Sequence, residues 1–271
     1  MTVALTHFAG RVGDYNDRAM AATPLLAKVL EKRLSVSATV IGQRASRHPT
    51  TWDEELRLAA PELRTMAEHY DDLLSRGATP VTALSRCAVA LATVPVVAKH
   101  RPDAVVVWFD AHADLNTPLM TETGYLGGLA LSGPLGMWDS GLGAGLANSN
   151  AILVGTRDLD AAEQELVDSG SVALVPVGSN MTEELRRVVA GRPVYVHIDC
   201  DVLDPGTVPT DYQVPFGMTL AQLNACAAVL AHSEVVGVEI AELEVDDADP
   251  HSYRPARKIV DALEPLLLAH G

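Results

Sequence analysis

Ala104-Val105-Val106-Val107-Trp108-Phe109-Asp110-Ala111-His112-Ala113-Asp114 is an apolar run that ends in three polar side chains at alternate positions. Its apolar part, β-branched and aromatic, is too short for a helix and predicts a strand covered on both faces. Strands buried in this way belong to parallel sheets flanked by helices, and such sheets place their sites beyond the C-terminal ends of the strands. Asp110, His112 and Asp114 stand at that position. If the chain stays extended there, side chains at i, i+2 and i+4 share one face and the three converge.

Outward from this stretch the pattern repeats. Residues 3–8, 36–41, 151–154, 172–177, 194–198 and 235–240 predict further strands. Residues 22–34, 54–76, 85–100, 160–168, 181–190, 219–232 and 254–269 predict helices, with Thr219 as an N-cap. The Gly- and Ser-rich residues 124–150 predict a long loop carrying a short helix. Gly141-Leu-Gly143-Ala-Gly145 is not a dinucleotide fingerprint, because no strand leads into it and the third glycine is misplaced. Alternating strands and helices without a linker or repeat predict one doubly wound α/β domain over residues 1–271.

Twenty Lys and Arg against 35 Asp and Glu leave a formal charge of -15. So acidic a chain repels phosphate backbones and anionic lipid, which excludes nucleic acid and membrane as expected partners. A small cationic substrate or a divalent metal suits it better. Three cysteines, Cys87, Cys200 and Cys226, form no disulfide framework and point to a reducing cytoplasm. The first residues lack a signal peptide, and no apolar run is long enough to span a bilayer. A homo-oligomer is compatible with the sequence without being specified by it.

Two further strand ends carry acids. Residues 194–198 run into Asp199-Cys200-Asp201-Val-Leu-Asp204-Pro205, and residues 235–240, interrupted by Glu239, run towards Glu242. A single Asp at a strand end is ordinarily a turn former or a cap. Asp-x-His-x-Asp and Asp-x-Asp-x-x-Asp-Pro, each directly behind a buried strand, call for another reason. Crowded carboxylates raise one another's pKa unless a cation offsets them. Hard oxygen donors with one or two nitrogens suit Mn²⁺ better than a structural zinc site. The number of acids points to two metals that share carboxylates and activate a water.

The segments Trp108-Phe-Asp110-Ala-His112-Ala-Asp114-Leu-Asn116-Thr-Pro118, His197-Ile-Asp199-Cys-Asp201-Val-Leu-Asp204-Pro205 and Gly237-Val-Glu239-Ile-Ala-Glu242 resemble the three C-terminal signatures of the arginase/agmatinase (ureohydrolase) family. The resemblance spans nearly the whole chain. It implies a single arginase-like α/β domain with a mostly parallel central sheet of about eight strands and helices on both faces. It also implies a binuclear manganese centre, two Mn²⁺ per chain, that hydrolyses guanidino compounds. Counting back in the family register, Leu84-Ser85-Arg86-Cys87-Ala88 stands where Gly-Gly-Asp-His-Ser is usual, so Cys87 replaces a metal histidine. A free Cys in a helix is ordinarily a small packed hydrophobe; the register makes Cys87 a ligand.

By the same resemblance, one metal is held by Cys87, Asp110, Asp114 and Asp199, and the other by Asp110, His112, Asp199 and Asp201. Asp114 positions the attacking water and Glu242 grips the guanidino group. Asn116 and Thr123 bind the α-carboxylate of an amino-acid substrate, Asp160 its α-amino group, and Glu163 acts through water. Arginases also carry a histidine that relays a proton to the leaving amine, and Gly127 stands at that position. His197 is a candidate for lining the site; His7, His48, His69, His100, His232, His251 and His270 read as surface or structural residues. Cys200, facing away from its Asp neighbours, and Cys226 read as packed side chains.

Loss of both histidines handicaps hydrolysis of arginine, whose guanidinium is very basic, more than that of a less basic hydroxyguanidine. The combination resembles the family branch that converts Nω-hydroxy-L-arginine to L-ornithine and hydroxyurea in D-cycloserine biosynthesis. The alternatives are L-arginine or another guanidino acid as substrate, or a non-catalytic arginase-like binding or regulatory protein.

Overall fold

The structure, a computed structural model, describes residues 2–46 and 50–269. His48 and His270 lie outside the described residues. The strands are β1 (Thr2–Phe8), β2 (Thr39–Ile41), β3 (Ala78–Ala83), β4 (Val105–Phe109), β5 (Ala151–Val154), β6 (Ala173–Val175), β7 (Val194–Asp199) and β8 (Val235–Ala241). The helices are α1 (Arg18–Leu34), α2 (Trp52–Ser75), α3 (Ala90–His100), α4 (Ala161–Asp168), α5 (Met181–Val189), α6 (Leu220–Leu230), α7 (Arg254–Ala262) and α8 (Glu264–Leu267). The strands form one sheet in the order β2-β1-β3-β8-β7-β4-β5-β6. All its pairings are parallel, where a mostly parallel sheet was expected.

The central strands serve two cores, as their apolar runs require. In β4, Val105, Val107 and Phe109 pack on one face with Leu26 and Leu30 of α1, Leu223 of α6 and Ile259 of α7. Val106 and Trp108 face the other way, against Leu63 and Met66 of α2 and Leu91 and Val94 of α3. Glu55, Ala59, Leu63, Met66, Tyr70 and Leu73 form the buried stripe of α2, at the three- and four-residue spacing of an amphipathic helix. Thr219 caps α6 in a capping box with Gln222. Among the described residues, no helix is long and apolar enough to cross a membrane.

Four readings change. The strand β3, Ala-Thr-Pro-Val-Thr-Ala, was not expected, because Pro80 and two threonines break its apolar pattern. Its neighbours accommodate the proline: a Cβ on Gly237 of β8 would stand 2.9 Å from Pro80 Cγ and 2.8 Å from Tyr195 Cε2, so only glycine fits there. The helix expected over 85–100 begins later. Cys87 lies in a short 3-10 turn, Cys87–Val89, ahead of α3. The helix expected over 254–269 is broken at Leu263, ahead of Pro265, into α7 and α8. The loop over 124–150 carries two 3-10 turns rather than one short helix.

β3, β8, β7 and β4 are consecutive in the sheet. Their C-terminal ends therefore bring residues 84–87, Glu242, residues 199–201 and residues 110–114 to one place.

Candidate active site

Asp110 follows β4 directly and is fully buried. Its Oδ2 accepts from Trp108 Nε1 at 3.0 Å and its Oδ1 from the His112 backbone N–H at 2.6 Å. His112 turns Nδ1 towards Asp110 Oδ1 at 3.3 Å and Asp201 Oδ2 at 3.1 Å. Asp114 does not continue an extended chain: its φ is 52°, a left-handed conformation that costs a non-glycine residue energy and is typical of functional positions. Its convergence with Asp110 thus comes from a loop, not from strand alternation. Asp199 closes β7, and its Oδ1 accepts from Asp201 N at 2.7 Å, holding the turn that presents Asp201. Asp201 Oδ1 in turn accepts from Ala111 N at 3.0 Å, which ties β7 to β4.

Burial pushes the Asp110, Asp114 and Asp199 carboxyls up, and neighbouring carboxylates push them further. Asp201 is the exception: burial opposes its charge, but the bond from His112 holds it below the usual range. Such a cluster cannot carry its full negative charge without a cation.

Cys87 meets this cluster from β3. Its Sγ lies 3.2 Å from Asp199 Oδ2 and 3.1 Å from His197 Nε2. Burial and the facing Asp199 raise its thiol well above the ordinary range. His197 is fully buried and does not line the site's cavity; it backs Cys87 and is held rigidly. Its ring stacks on Trp108 with centroids 3.5 Å apart, and its Nδ1 donates to Glu239 Oε1 at 2.7 Å. Glu239 Oε2 accepts from Thr93 Oγ1 and Tyr195 Oη at 2.8 and 2.6 Å. Trp108, His197, Glu239 and Thr82 are register partners across β4, β7, β8 and β3. Cys200 packs into the opposite core, away from the acids, and Cys226 is buried in α6.

Glu242, at φ 61°, leaves β8 in a left-handed turn and has both oxygens engaged. Oε1 accepts from Cys87 N at 2.8 Å and Oε2 from Arg86 Nη1 at 2.6 Å. Burial pushes its carboxyl up to about 7 against the pull of Arg86. Arg86 was not foreseen as a site residue. Its signal was a lone charge between the apolar residues of 81–84 and 88–92, where burial demands partners.

Cys87, His112, Asp114, Asn116, Thr123, Asp160, Glu163, Asp199, Asp201 and Glu242 all line one cavity of about 210 Å³, whereas Asp110 is fully buried and not part of its lining. Asn116 Nδ2 donates to Asp160 Oδ2 at 2.7 Å, and Asn116 Oδ1 is a buried acceptor without a partner among the described residues. Buried acceptors are rarely left so, and this one suits a ligand N–H. Glu163 accepts from the backbone N–H of Leu115 and of Asp160, both at 2.9 Å, so it braces the loop and the start of α4. Thr123 is exposed at the rim. Arg157, also unforeseen, donates to the carbonyls of Asp201 and Val214 at 3.0 and 2.7 Å and clamps the 201–214 loop.

Tyr125 is the remaining addition. It packs against Tyr15 and Tyr212, with centroids 4.8 and 5.8 Å away. A Cβ on Gly127 would come within 2.3 Å of Tyr125 Cε1. No side chain fits at Gly127 unless this ring moves. Gly127→His is therefore expected to lower stability by about 1–3 kcal/mol through overpacking, without creating efficient arginine hydrolysis. Thermal unfolding beside an ornithine assay checks both halves.

Among the described residues the donors fall into three groups, each within 4.8 Å: Cys87, Asp110 and Asp114; Asp110, His112 and Asp201; Cys87, Asp199 and Glu242. Asp110 is shared by the first two. One carboxylate between two donor sets, rich in hard oxygens with a single imidazole, fits a pair of divalent cations.

The arginase family model matches residues 22–263. An Nω-hydroxy-L-arginine amidinohydrolase of Streptomyces lavendulae is 38% identical over 256 residues, covering 94% of each chain. An agmatinase of Bacillus subtilis is 30% identical over 213 residues, 76% of this chain and 69% of that one. The crystal structure of an arginase from Bacillus cereus superposes with a TM-score of 0.85 at 21% identity, over 99% of both chains, and shows the same fold. Motifs in family order, an eight-stranded parallel sheet that unites them, and a match over most of the length agree: the chain belongs to the arginase family and is a metal-dependent amidinohydrolase.

Proposed function

We propose that the protein hydrolyses Nω-hydroxy-L-arginine to L-ornithine and hydroxyurea, with two Mn²⁺ per chain, in the service of antibiotic biosynthesis. The observation that carries this reading is the Tyr125 ring over Gly127, which would have to move to admit the histidine that serves arginine hydrolysis in the family. The 38% identity to a hydroxyarginine amidinohydrolase supports it.

Cys87, Asp110, Asp114 and Asp199 would hold one cation, and Asp110, His112, Asp199 and Asp201 the other. Two cations held there would supply a water of lowered pKa and stabilise negative charge on oxygen. Asp114 accepts a hydrogen bond from the attacking water at its carboxylate and takes up its proton. Glu242 orients the hydroxyguanidine so that its carbon faces that water. The new C–O bond forms as the C–Nδ bond breaks, and Nδ leaves as the ornithine amine after receiving a proton. With Gly127 bare, that proton comes from Asp114, from solvent or from the hydroxyguanidine itself. Asp160 and Asn116 Oδ1 offer acceptors to the α-ammonium group. The second Asn116 amide N–H and the Thr123 hydroxyl offer donors to the α-carboxylate.

Assay of the manganese-loaded protein on Nω-hydroxyarginine, arginine and agmatine, scoring ornithine and the urea-type product, tests the reading. Hydroxyarginine should give hydroxyurea with kcat/KM at least about tenfold above arginine, a difference of ~1.4 kcal/mol. Equal or faster turnover of arginine overturns it. Asp160→Ala should weaken the amino-acid substrates by about 1–3 kcal/mol, the loss of a hydrogen bond to a charged group. Agmatine lacks the carboxylate but keeps the amine, so native activity on agmatine equal to that on the amino acids would remove the carboxylate role of Asn116 and Thr123.

A further inference from the structure

We propose that Arg86 decides which charge the site accepts: its buried guanidinium occupies Glu242 from behind, so the site takes a neutral hydroxyguanidine in preference to a cationic guanidinium. The inference rests on the hydroxyarginine reading and names the residue that makes the choice.

Arg86 is fully buried and permanently charged. Its Nη1 donates to Glu242 Oε2 at 2.6 Å, its Nε to Asp14 Oδ1 at 3.0 Å and its Nη2 to Glu244 Oε1 at 3.2 Å. The Cys87 backbone N–H occupies the other Glu242 oxygen at 2.8 Å. Glu242 is the acid in the cavity wall that faces the guanidino end of a substrate, yet each of its oxygens already accepts from the chain. A free carboxylate would meet a guanidinium with two parallel hydrogen bonds and an uncompensated charge. This one has its fork taken, with Arg86 on one oxygen and the Cys87 backbone on the other. A substrate guanidinium placed on Glu242 would have to share that carboxylate with Arg86, which already holds it at 2.6 Å, and so would gain less than on an unengaged acid. A neutral hydroxyguanidine still finds the unused lone pairs of Glu242 as acceptors for its N–H groups. Its oxygen withdraws electron density, so its neutral form is far more available than that of arginine.

The test compares two ligands of equal length that differ in charge at the guanidino end, L-arginine as the cation and L-citrulline as its neutral ureido counterpart. Calorimetric titration into the manganese-loaded native protein should show arginine binding no more tightly than citrulline. Arg86→Met removes the charge and keeps the bulk, and should move the affinity ratio at least tenfold towards arginine. Arg86→Lys keeps a positive charge and should leave the ratio near the native one. A purely structural Arg86 predicts that both variants weaken the two ligands alike. An unmoved ratio in folded Arg86→Met, or native protein that binds arginine tenfold more tightly than citrulline, overturns the proposal. If Arg86→Met fails to fold with three acids around the gap, the native comparison and Arg86→Lys decide it. The two readings fail separately: arginine turnover equal to hydroxyarginine turnover removes the proposed function, whereas an unmoved ratio with hydroxyarginine still preferred removes only the role of Arg86.

Discussion

Asp199→Ala is expected to lose both bound metals and to cut turnover by about three orders of magnitude or more, since the several kcal/mol of charge stabilisation from the cations disappear with them. The side chain has two duties. Its Oδ2 faces Cys87 Sγ at 3.2 Å, and its Oδ1 holds the Asp201 backbone at 2.7 Å. Alanine removes a donor and also loosens the turn that aims Asp201 at His112. The effect on folding should have the opposite sign in the metal-free protein. The Asp199 carboxyl is pushed up by burial and by Asp201, Asp110 and Glu242, so removing it relieves repulsion and should leave the metal-free melting temperature unchanged or higher. What disappears is the rise in melting temperature on adding manganese, because a ligand that no longer binds no longer stabilises. Elemental analysis after manganese loading, a hydroxyurea assay and thermal unfolding with and without metal check the three parts. Full metal content in the variant would exclude Asp199 from the coordination shell.

Cys87→Ala should leave about one metal per chain and reduce turnover on hydroxyarginine by roughly two orders of magnitude, in line with the loss of a direct ligand. A thiolate is a soft donor, so the native site should hold manganese less tightly than a histidine site would. Its pH dependence follows from burial. The Cys87 thiol is raised by burial and then by Asp199, so the protonated form persists further into the alkaline range. Metal must displace that proton, so affinity should rise with pH, with a proton released on binding, and fall as the solution is acidified. Manganese titrations from neutral to alkaline pH, with proton release followed in weakly buffered solution, check this. Cys87→His should tighten manganese binding and improve arginine hydrolysis only in part. The new ring has to share space with His197, now 3.1 Å from Sγ, and Gly127 stays bare. If Cys87→Ser keeps native metal content and turnover, Cys87 is a packed side chain, and one of the grounds for preferring hydroxyarginine over arginine goes with it.

The strand before Asp110 was legible because five consecutive buried residues, Val105 to Phe109, look the same in any context that covers both faces. The acids behind β4, β7 and β8 were legible for a related reason: short-range spacing places them at strand ends, and nothing else explains so many there. β3 was not legible, since its proline and threonines are tolerated only because Gly237 makes room for Pro80 and because Tyr70 Oη bonds Thr82 Oγ1 at 2.6 Å. Cys87 was found through register with a family signature; its surroundings were not.

Local hydrophobicity and alternation thus determined the α/β class, the strands that end in donors and the chemistry of those donors, because each depends on residues within a few positions of one another. The partners across the site were decided by the sheet. His197 meets Cys87 110 residues away, and Glu242 meets Arg86 156 residues away. Neither pair exists until β3, β8 and β7 lie side by side in one register. That register is set by burying two apolar faces under helices, a property of the whole chain that no local window contains.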